Sequence, residues 1–429
     1  MNKKNKYVLV KKAAYIAMVF ALSPTFKAKE SNVSVQFNDN SISIESEDLS
    51  TDKLDLSNSL TTGDLIELAN YKRALNEAKE EMKRKELYMN ASGLILDEVD
   101  NPFYIKANHE HYISFYMQNP NMNVQDVFVG VNIKLCESLP CYNSEYTKRY
   151  IDYHIANPNL PLDQIIVYVN IGLDKPFYTN IKMIENPNSE LLISNKYNKL
   201  PADFVPNGYN EKVNKDLTVR GEAGRAFKLM TQSAAKEKVT IYPVSTYRSY
   251  NYQEDVYWRQ SKLDAFFGSG TKRKNLSENK KNEYHAWRDK VSAREGHSEH
   301  QTGLAVDINS VSESFAKTKE GKWLANNSYK FGYILRYPKG KEDITGYSYE
   351  PWHFRYVGVK VATAVYESGL TFDEFHAMYI EPIIRKDPKT SELSSDEFYD
   401  LFIKDVYENT KVYNFVKTDE DTLEVAKTK

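Results

Sequence analysis

The sequence of 429 residues predicts an α+β fold in which helices flank an antiparallel sheet. Residues 304–308 and 352–356 alternate large apolar side chains with small or polar ones, as half-buried strands do. Residues 223–235 and 360–369 are predicted to form helices. An internal repeat upstream predicts a small helix–strand module ahead of this domain. The two strands are expected to be antiparallel neighbours, because that pairing brings their polar faces together although they lie far apart in the chain.

The N-terminus has the pattern of an export segment. Several lysines between positions 3 and 12 precede an uncharged apolar run from Ala13 to Leu22. This run has ten residues, whereas a helix that spans a membrane needs about 20. Residues 1–28 are therefore predicted to be a signal peptide or an N-terminal anchor. We expect an extracellular or envelope-associated protein, either secreted or held at the membrane through its N-terminus.

The composition divides the remaining chain into five segments. They are a polar spacer with one amphipathic helix (29–105), a tandem helix–strand repeat module (106–189), a linker (190–216), a domain that carries the candidate chemistry (217–375) and a charged C-terminal extension (376–429). The amphipathic helix is predicted over residues 62–88, where apolar residues fall roughly on one face.

The repeat module contains two similar units offset by 38 residues, as the recurrence of Asn-Pro-Asn at 119–121 and 157–159 shows. Each unit is predicted to be a helix, an Asn-Pro turn and a short strand. The module is interpreted as a structural spacer or as a binding module. Its first unit contains Cys136 and Cys141, which either close a small disulfide loop or remain free thiols.

Two segments of the domain at 217–375 carry the candidate chemistry. Residues 298–308 read Ser-Glu-His-Gln-Thr-Gly-Leu-Ala-Val-Asp-Ile, and residues 349–356 read Tyr-Glu-Pro-Trp-His-Phe-Arg-Tyr. They supply two imidazoles and one carboxylate, from His300, His353 and Asp307. Three protein ligands and one water are typical of a catalytic zinc site, and zinc lowers the pKa of its bound water toward about 7.

A second carboxylate lies near these candidate ligands. Glu350 is predicted to turn inward, since Pro351 interrupts the backbone donors just before the strand. It would act as the general base toward the attacking water. Arg248 is the candidate cation that stabilises an oxyanion or binds a substrate carboxylate.

The other histidines are interpreted as ordinary polar residues, because a lone imidazole is more often structural than a ligand. His297 is ambiguous, since it lies close to His300 in sequence. This group contains His109, His111, His154, His285 and His376.

At these residues the sequence resembles the VanY-type D-alanyl-D-alanine carboxypeptidases, whose fold is shared with D-Ala-D-Ala dipeptidases and the hedgehog N-terminal domain. The family pattern Ser-x-His-x-x-Gly-x-Ala-x-Asp begins at position 298, and Glu-x-Trp-His begins at position 350. The resemblance runs from about Leu200 to Phe375. One departure is visible, because Glu295-Gly296-His297 stands where the family often has a Pro-Gly turn.

The resemblance implies roles for nine residues. The zinc ligands would be His300, Asp307 and His353, and the catalytic base Glu350. Arg248, Gln253 and Ser298 would bind the carboxylate of the terminal D-alanine, and Tyr337 and Trp352 would line the substrate groove.

The function expected from these observations is a zinc-dependent carboxypeptidase that removes the C-terminal D-alanine from peptidoglycan stem peptides. One zinc ion per catalytic domain is the expected cofactor. Three alternatives stay open: a peptidoglycan endopeptidase, a D,D-dipeptidase, and a non-catalytic zinc-stabilised module that binds the cell wall. Both D,D and L,D specificity remain open. The formal net charge of −2 gives no reason to expect nucleic acid as a partner.

Overall fold

The computed structural model describes residues 33–38, 41–46, 54–55, 62–405 and 407. The predicted signal peptide or anchor at residues 1–28 lies outside this described part. Internal contacts divide the chain into two units, one within residues 1–104 and 108–127 and the other within 105–107 and 128–429. Among the described helices, none combines the length and the apolar content that a membrane span requires.

The first unit contains a small antiparallel sheet and a long helix. Its elements are β1 (Val33–Asn38), β2 (Ser41–Ser46), β3 (Leu54–Asp55), α1 (Thr62–Leu96) and α2 (His109–Gln118). Strands β1 and β2 pair so that Val35 faces Ile44 and Phe37 faces Ile42. These strands lie within residues 29–105, the segment predicted to be a polar spacer with one amphipathic helix.

The repeat is built from helices alone. Helices α2 and α3 (Val124–Leu135) form the first copy, and α4 (Thr147–Ala156) and α5 (Leu162–Ile171) form the second. The predicted strands are wrong: residues 124–135 and 162–171 form helices, and most apolar residues of α3 and α5 are buried. A short run of that kind shows no clear period, so periodicity does not separate a strand from a buried helix. In both copies an asparagine side chain caps the first helix: Asn119 donates to the carbonyl of Phe115, and Asn157 to that of Tyr153.

The second unit also contains a four-stranded sheet with its flanking helices. Its elements in chain order are β4 (Lys182–Met183), β5 (Asn198–Lys199), β6 (Glu211–Lys212), β7 (Thr218–Val219), α6 (Gly221–Lys236), β8 (Pro243–Ser245), α7 (Tyr250–Tyr257), α8 (Gln260–Phe267), α9 (Glu278–Arg288), β9 (Ala305–Ile308), α10 (Lys319–Asn327), β10 (Tyr333–Leu335), α11 (Glu342–Thr345), β11 (His353–Tyr356), α12 (Val359–Ser368), α13 (Phe372–Phe375), α14 (Glu381–Lys386) and α15 (Ser395–Phe398).

The four-stranded sheet has the order β10–β11–β9–β8, and every neighbouring pair is antiparallel. Leu304, Val306 and Ile308 point from the β9 segment into the main core, where they meet Phe354 of β11 and Phe227 of α6. The opposite side chains of β9 and β11 are therefore left to form a polar face. The α+β fold with an antiparallel sheet and flanking helices is confirmed.

The segments that flank this domain also contribute to its interior. Leu191 and Leu200 are buried in the predicted linker, and Ile380, Phe398 and Ile403 are buried in the predicted C-terminal extension. The last three side chains belong to a core cluster that includes residues of α12. In their described residues, the predicted linker and the predicted C-terminal extension therefore both pack against the rest of the second unit.

The two cysteines of the repeat module are free thiols. Cys136 and Cys141 are both buried in one small core cluster. Burial raises the pKa of each thiol to about 12, so both are protonated and unreactive near neutral pH.

Candidate active site

The pairing of β9 with β11 brings two candidate ligands together. Asp307 and His353 are directly opposite each other in the antiparallel register. Oδ1 of Asp307 lies 3.2 Å from Nδ1 of His353. Because neighbouring residues on each strand point into the core, these two side chains share the polar face.

His300 reaches the same point from a turn that precedes β9. The turn spans Glu299–Thr302 and ends at Gly303, whose φ of 68° is in the left-handed region that favours glycine. Nδ1 of His300 lies 2.6 Å from the carbonyl oxygen of Thr246. A carbonyl only accepts, so Nδ1 carries the proton and Nε2 offers its lone pair to the site. Nε2 lies 3.3 Å from Oδ2 of Asp307.

These three residues form a group that fits a metal ion. One donor atom from each of His300, Asp307 and His353 lies within 4.8 Å of the others, and all three residues are buried. Nε2 of His300 and Oδ1 of Asp307 have no hydrogen-bond partner among the described residues. Buried polar atoms normally have partners, so a cation would satisfy atoms that the protein leaves unpaired.

The protonation of this group also suits a cation. Burial lowers the pKa of His300 to about 4, with a contribution from the Arg248 charge. Burial would lower the pKa of His353 as well, but the nearby carboxylates of Asp307 and Glu299 raise it to about 9. The imidazole of His353 therefore holds a proton beside Asp307, which a bound cation would displace.

Glu350 lies beside the candidate ligands, just before β11 begins. Its Oε2 is 3.7 Å from Nδ1 of His353. Burial and the Asp307 charge raise the pKa of Glu350 to about 7. A carboxyl group tuned to this range can accept a proton and return it near neutral pH.

Arg248 lies on the other side of the group. Nη2 of Arg248 is 3.5 Å from Oδ2 of Asp307, and Nη1 donates to Oε1 of Gln253 at 2.9 Å. The amide nitrogen of Gln253 donates in turn to the carbonyl of Ala293 at 2.7 Å. Ser298 is buried at the start of the turn that bears His300. The three residues predicted to bind a carboxylate thus lie on segments that converge on the candidate ligands.

Comparison with known proteins identifies the family of this chain. The family model for VanY, D-alanyl-D-alanine carboxypeptidase, matches residues 216–359. The putative carboxypeptidase YodJ of Bacillus subtilis is 37% identical over 220 residues, which cover 46% of this chain and 73% of that protein. The chain belongs to the VanY family.

Other similarities are shorter. A D-alanyl-D-alanine carboxypeptidase of Enterococcus faecalis is 41% identical over 132 residues, or 30% of this chain and 46% of that protein, so the match spans under half of that relative. Among solved structures, the LdcB LD-carboxypeptidase has 34% identity and a TM-score of 0.39, covering 47% of this chain and 91% of that chain. VanYB in complex with D-alanine-D-alanine has 31% identity and a TM-score of 0.36, covering 43% and 96%.

The other residues predicted for the site of this VanY-family chain do not all lie beside the candidate ligands. The ring of Tyr337 lies 4.9 Å from that of His353, beside the candidate ligands. Trp352 is half-buried and packs against the main core. His297, the ambiguous histidine, is not part of the metal-binding group, because its Nδ1 contacts the carbonyl of Asn195 at 2.7 Å. Gly296 has a φ of 82°, so the turn before Ser298 uses glycine without the family's proline.

Sequence reasoning missed a buried ionic network behind the VanY-family motifs. Oε1 of Glu299 accepts from Nε of Arg336 at 2.8 Å and from Nη1 of Arg355 at 3.0 Å. Arg336 also donates to Asp373 at 2.6 Å. The alternation of residues along β11 could have indicated the position of Arg355, since it places Arg355 on the same face of the strand as His353. The position of Glu299 beside His300 gave no comparable signal.

Proposed function

We propose that this protein is a zinc-dependent carboxypeptidase that removes the C-terminal D-alanine from peptidoglycan stem peptides. The observation that carries the proposal is the buried group of His300, Asp307 and His353, with Glu350 on one side and Arg248 on the other. The name of the Enterococcus faecalis relative, D-alanyl-D-alanine carboxypeptidase, supports the substrate class.

Zinc is the metal that the donor set favours. Two imidazoles and one carboxylate are a common ligand set of catalytic zinc, and an open fourth position completes such a site. His300 would bind through Nε2 and His353 through Nδ1, since those atoms face Asp307. When bound, zinc supplies Lewis-acid polarisation and lowers the pKa of water at the site.

The protein's own groups carry the proton transfers. Glu350 takes a proton from the attacking water and later returns it to the amine that leaves when the peptide bond breaks. Its pKa of about 7, raised by burial, allows both directions near neutral pH. The charges of His353 and Arg248 oppose this rise and favour the ionised form that acts as base.

Arg248 is the group that would hold the free carboxylate at the end of the substrate. A guanidinium presents a planar fork that matches a carboxylate with two hydrogen bonds. Gln253 is bonded at both ends, to Arg248 and to the carbonyl of Ala293. In this arrangement Gln253 orients the fork, and Ser298 lies on the segment that leads to His300.

The alternatives make different demands on these residues. An endopeptidase has no terminal carboxylate to bind, so Arg248 would lack its partner. A D,D-dipeptidase would bind the same free carboxylate and differ in the length of its substrate. A non-catalytic wall-binding module would not need Glu350, whose place beside His353 favours an enzyme. The export pattern at residues 1–28 supports activity outside the cell.

The test is mass spectrometry of synthetic stem peptides incubated with the zinc-loaded protein. Tetrapeptide and pentapeptide stems are compared, each as the free acid and as the C-terminal amide. We expect loss of one D-alanine from a free acid and no cleavage of the amides. Loss from the pentapeptide indicates D,D specificity, and loss from the tetrapeptide indicates L,D specificity. Equal cleavage of acids and amides, or cleavage within the peptide, would contradict the proposal.

A further inference from the structure

The turn that ends the second repeat has an unusual backbone. It follows α5 and contains Tyr178 with a φ of 61° and Asn180 with a φ of 49°. Left-handed φ values are uncommon for residues other than glycine, and most uncommon for bulky side chains. Such conformations persist where the surroundings hold them, often at functional sites. The surroundings of Tyr178 are therefore informative.

Tyr178 contacts three side chains of the catalytic domain. Its ring meets that of His297 edge to face, with centroids 5.0 Å apart and planes at 82°. The guanidinium of Arg294 lies 4.1 Å above the ring, in a cation–π contact. The hydroxyl oxygen accepts from the backbone nitrogen of Arg294 at 3.4 Å and lies 3.4 Å from the hydroxyl of Tyr347.

Two of these contacts support the segment that carries the proposed carboxylate site. His297 immediately precedes Ser298. Arg294 immediately follows Ala293, whose carbonyl anchors Gln253 and, through it, Arg248. A shift of this segment would therefore move two of the residues that we propose for the terminal carboxylate.

The third contact leads to the other side of the groove. The ring of Tyr347 lies 4.9 Å from that of Tyr337, and Tyr337 lies 4.9 Å from His353. Two tyrosines, Tyr347 and Tyr337, therefore connect Tyr178 to the candidate ligand His353, through one contact between hydroxyl groups and two ring contacts.

A buried lysine strengthens the same junction. Nζ of Lys196 donates to the carbonyl of Asp289 at 2.7 Å. It also lies over three rings, at 4.8 Å from Phe177, 5.3 Å from Tyr178 and 4.7 Å from Tyr347. The lysine therefore joins the repeat to two loops of the catalytic domain at once.

We infer that Tyr178 is a positioning residue for substrate binding, through which the second repeat holds the two sides of the peptide groove in place. The inference rests on the proposed function, because Gln253, Ser298 and Tyr337 define that groove. Tyr178 lies outside residues 216–359, the span that matches the VanY family model. The second repeat is on this view part of the peptidase, not a separable spacer or a wall-binding module.

The first repeat provides a matched control. Pro140-Cys141-Tyr142 corresponds to Pro176-Phe177-Tyr178. The hydroxyl of Tyr142 lies 2.8 Å from that of Thr147, and its ring packs 5.2 Å from Tyr150. These contacts lie within the repeat module, so Tyr142→Ala removes a comparable aromatic residue without disturbing the groove.

The kinetic test compares Tyr178→Ala, Tyr178→Phe and Tyr142→Ala in the full-length chain, with zinc content and Tm measured for each. We expect Tyr178→Ala to raise KM for the stem peptide about 10- to 100-fold, since small displacements of positioning groups have effects of that order. We expect kcat to change less and bound zinc to stay equimolar. Tyr178→Phe keeps the ring contacts and should show a smaller rise in KM. If the alanine variant does not fold, the KM of the phenylalanine variant tests the positioning role. Tyr142→Ala should keep the wild-type KM.

An unchanged KM in the folded Tyr178 variants, or an equal rise in Tyr142→Ala, would overturn the inference. A second measurement does not depend on activity. Amide hydrogen exchange in residues 289–298 and 345–348 should accelerate in Tyr178→Ala and not in Tyr142→Ala. If the wild-type protein cleaves no stem peptide, the proposed function fails and this exchange measurement alone decides whether Tyr178 holds the two segments. Equal exchange in all proteins would refute the positioning role.

Discussion

Oε2 of Glu299 faces Nε2 of His353 at 3.5 Å, on the side of the imidazole away from Asp307. The other carboxylate oxygen of Glu299 is occupied by Arg336 and Arg355, and all three of these charged side chains are fully buried. A carboxylate in this position favours a proton on Nε2 of His353. That tautomer leaves Nδ1 available toward Asp307, where a metal ion would bind. Carboxylates placed behind metal-binding histidines commonly have this effect.

Glu299→Gln should weaken zinc binding. An amide can offer its oxygen either to the two arginines or to His353, but not to both, and its NH₂ group would favour the wrong tautomer of His353. We expect an affinity loss of about 10- to 100-fold, as for other residues that orient metal ligands. Competition with a chromophoric chelator measures it. Glu313→Gln, at an exposed glutamate, is the control and should bind zinc as the wild type does. Equal affinities in all three proteins would exclude this role.

His353→Ala should lose the bound metal. With one of three protein ligands gone, the remaining pair gives an incomplete site. Metal analysis after dialysis is the measurement, and His154→Ala removes a buried imidazole elsewhere as a control. We expect zinc near one equivalent in the control and far less in His353→Ala. Undiminished zinc in His353→Ala would show that the ligands are wrongly assigned.

Glu350→Gln should keep zinc and lose activity. The amide has the shape of the carboxylate but cannot accept and return a proton. The expected fall in kcat is about 10²- to 10⁴-fold, the usual range for general acid–base groups. Stem-peptide kinetics with parallel metal analysis test this. Near-normal turnover would point to another base.

Arg248→Lys should impair use of the free-acid peptide. Lysine keeps the positive charge but loses the planar fork. It also loses the bond from Nη1 to Gln253. We expect kcat/KM for the free acid to fall about 10-fold or more, since charge-assisted bidentate pairs are among the stronger hydrogen bonds. The amidated peptide is the internal control, as it should be a poor substrate for both proteins. A variant that loses nothing on the free acid would favour the endopeptidase alternative.

Three histidines should each lower the stability of the fold as the pH drops below about 6.5. Burial lowers the pKa of His154 and His297 to about 4, and that of His376 to about 3. The unfolded chain binds these protons near pH 6.5 while the folded protein stays neutral, so acid favours unfolding and the stability is fully present above that pH. Urea unfolding of wild type and His376→Gln at pH 7.5 and 5 tests one group. The variant should lose about 2 kcal/mol less over this interval, because each pH unit is worth about 1.4 kcal/mol per proton. Identical losses would mean that His376 does not titrate as inferred.

The sequence was most informative where local patterns fix side-chain direction. The alternation of residues 304–308 and 352–356 predicts which side chains leave the core, and the pairing of Asp307 with His353 follows once the strands are neighbours. The expected place of Glu350 just before β11 is also observed. The catalytic roles of these residues stay predictions until they are tested.

The sequence was least informative where distant segments meet. The α3 and α5 helices were predicted as strands, because a short apolar run has no decisive period. The structural role of Glu299 depends on Arg336 and Arg355, which lie 37 and 56 residues away in the sequence. Tyr178 reaches Tyr347 across 169 residues, a contact that no local pattern encodes.

The pairing of β9 with β11 also bears on when the proposed metal could bind. Asp307 and His353 lie far apart along the chain and become neighbours only through their strands, so an unfolded chain has no preformed centre. Long-range strand pairing is a slow step because a long loop must close first. If the proposed zinc site is correct, metal binding would accompany or follow that step, and the compartment in which the chain folds would determine which cation is available.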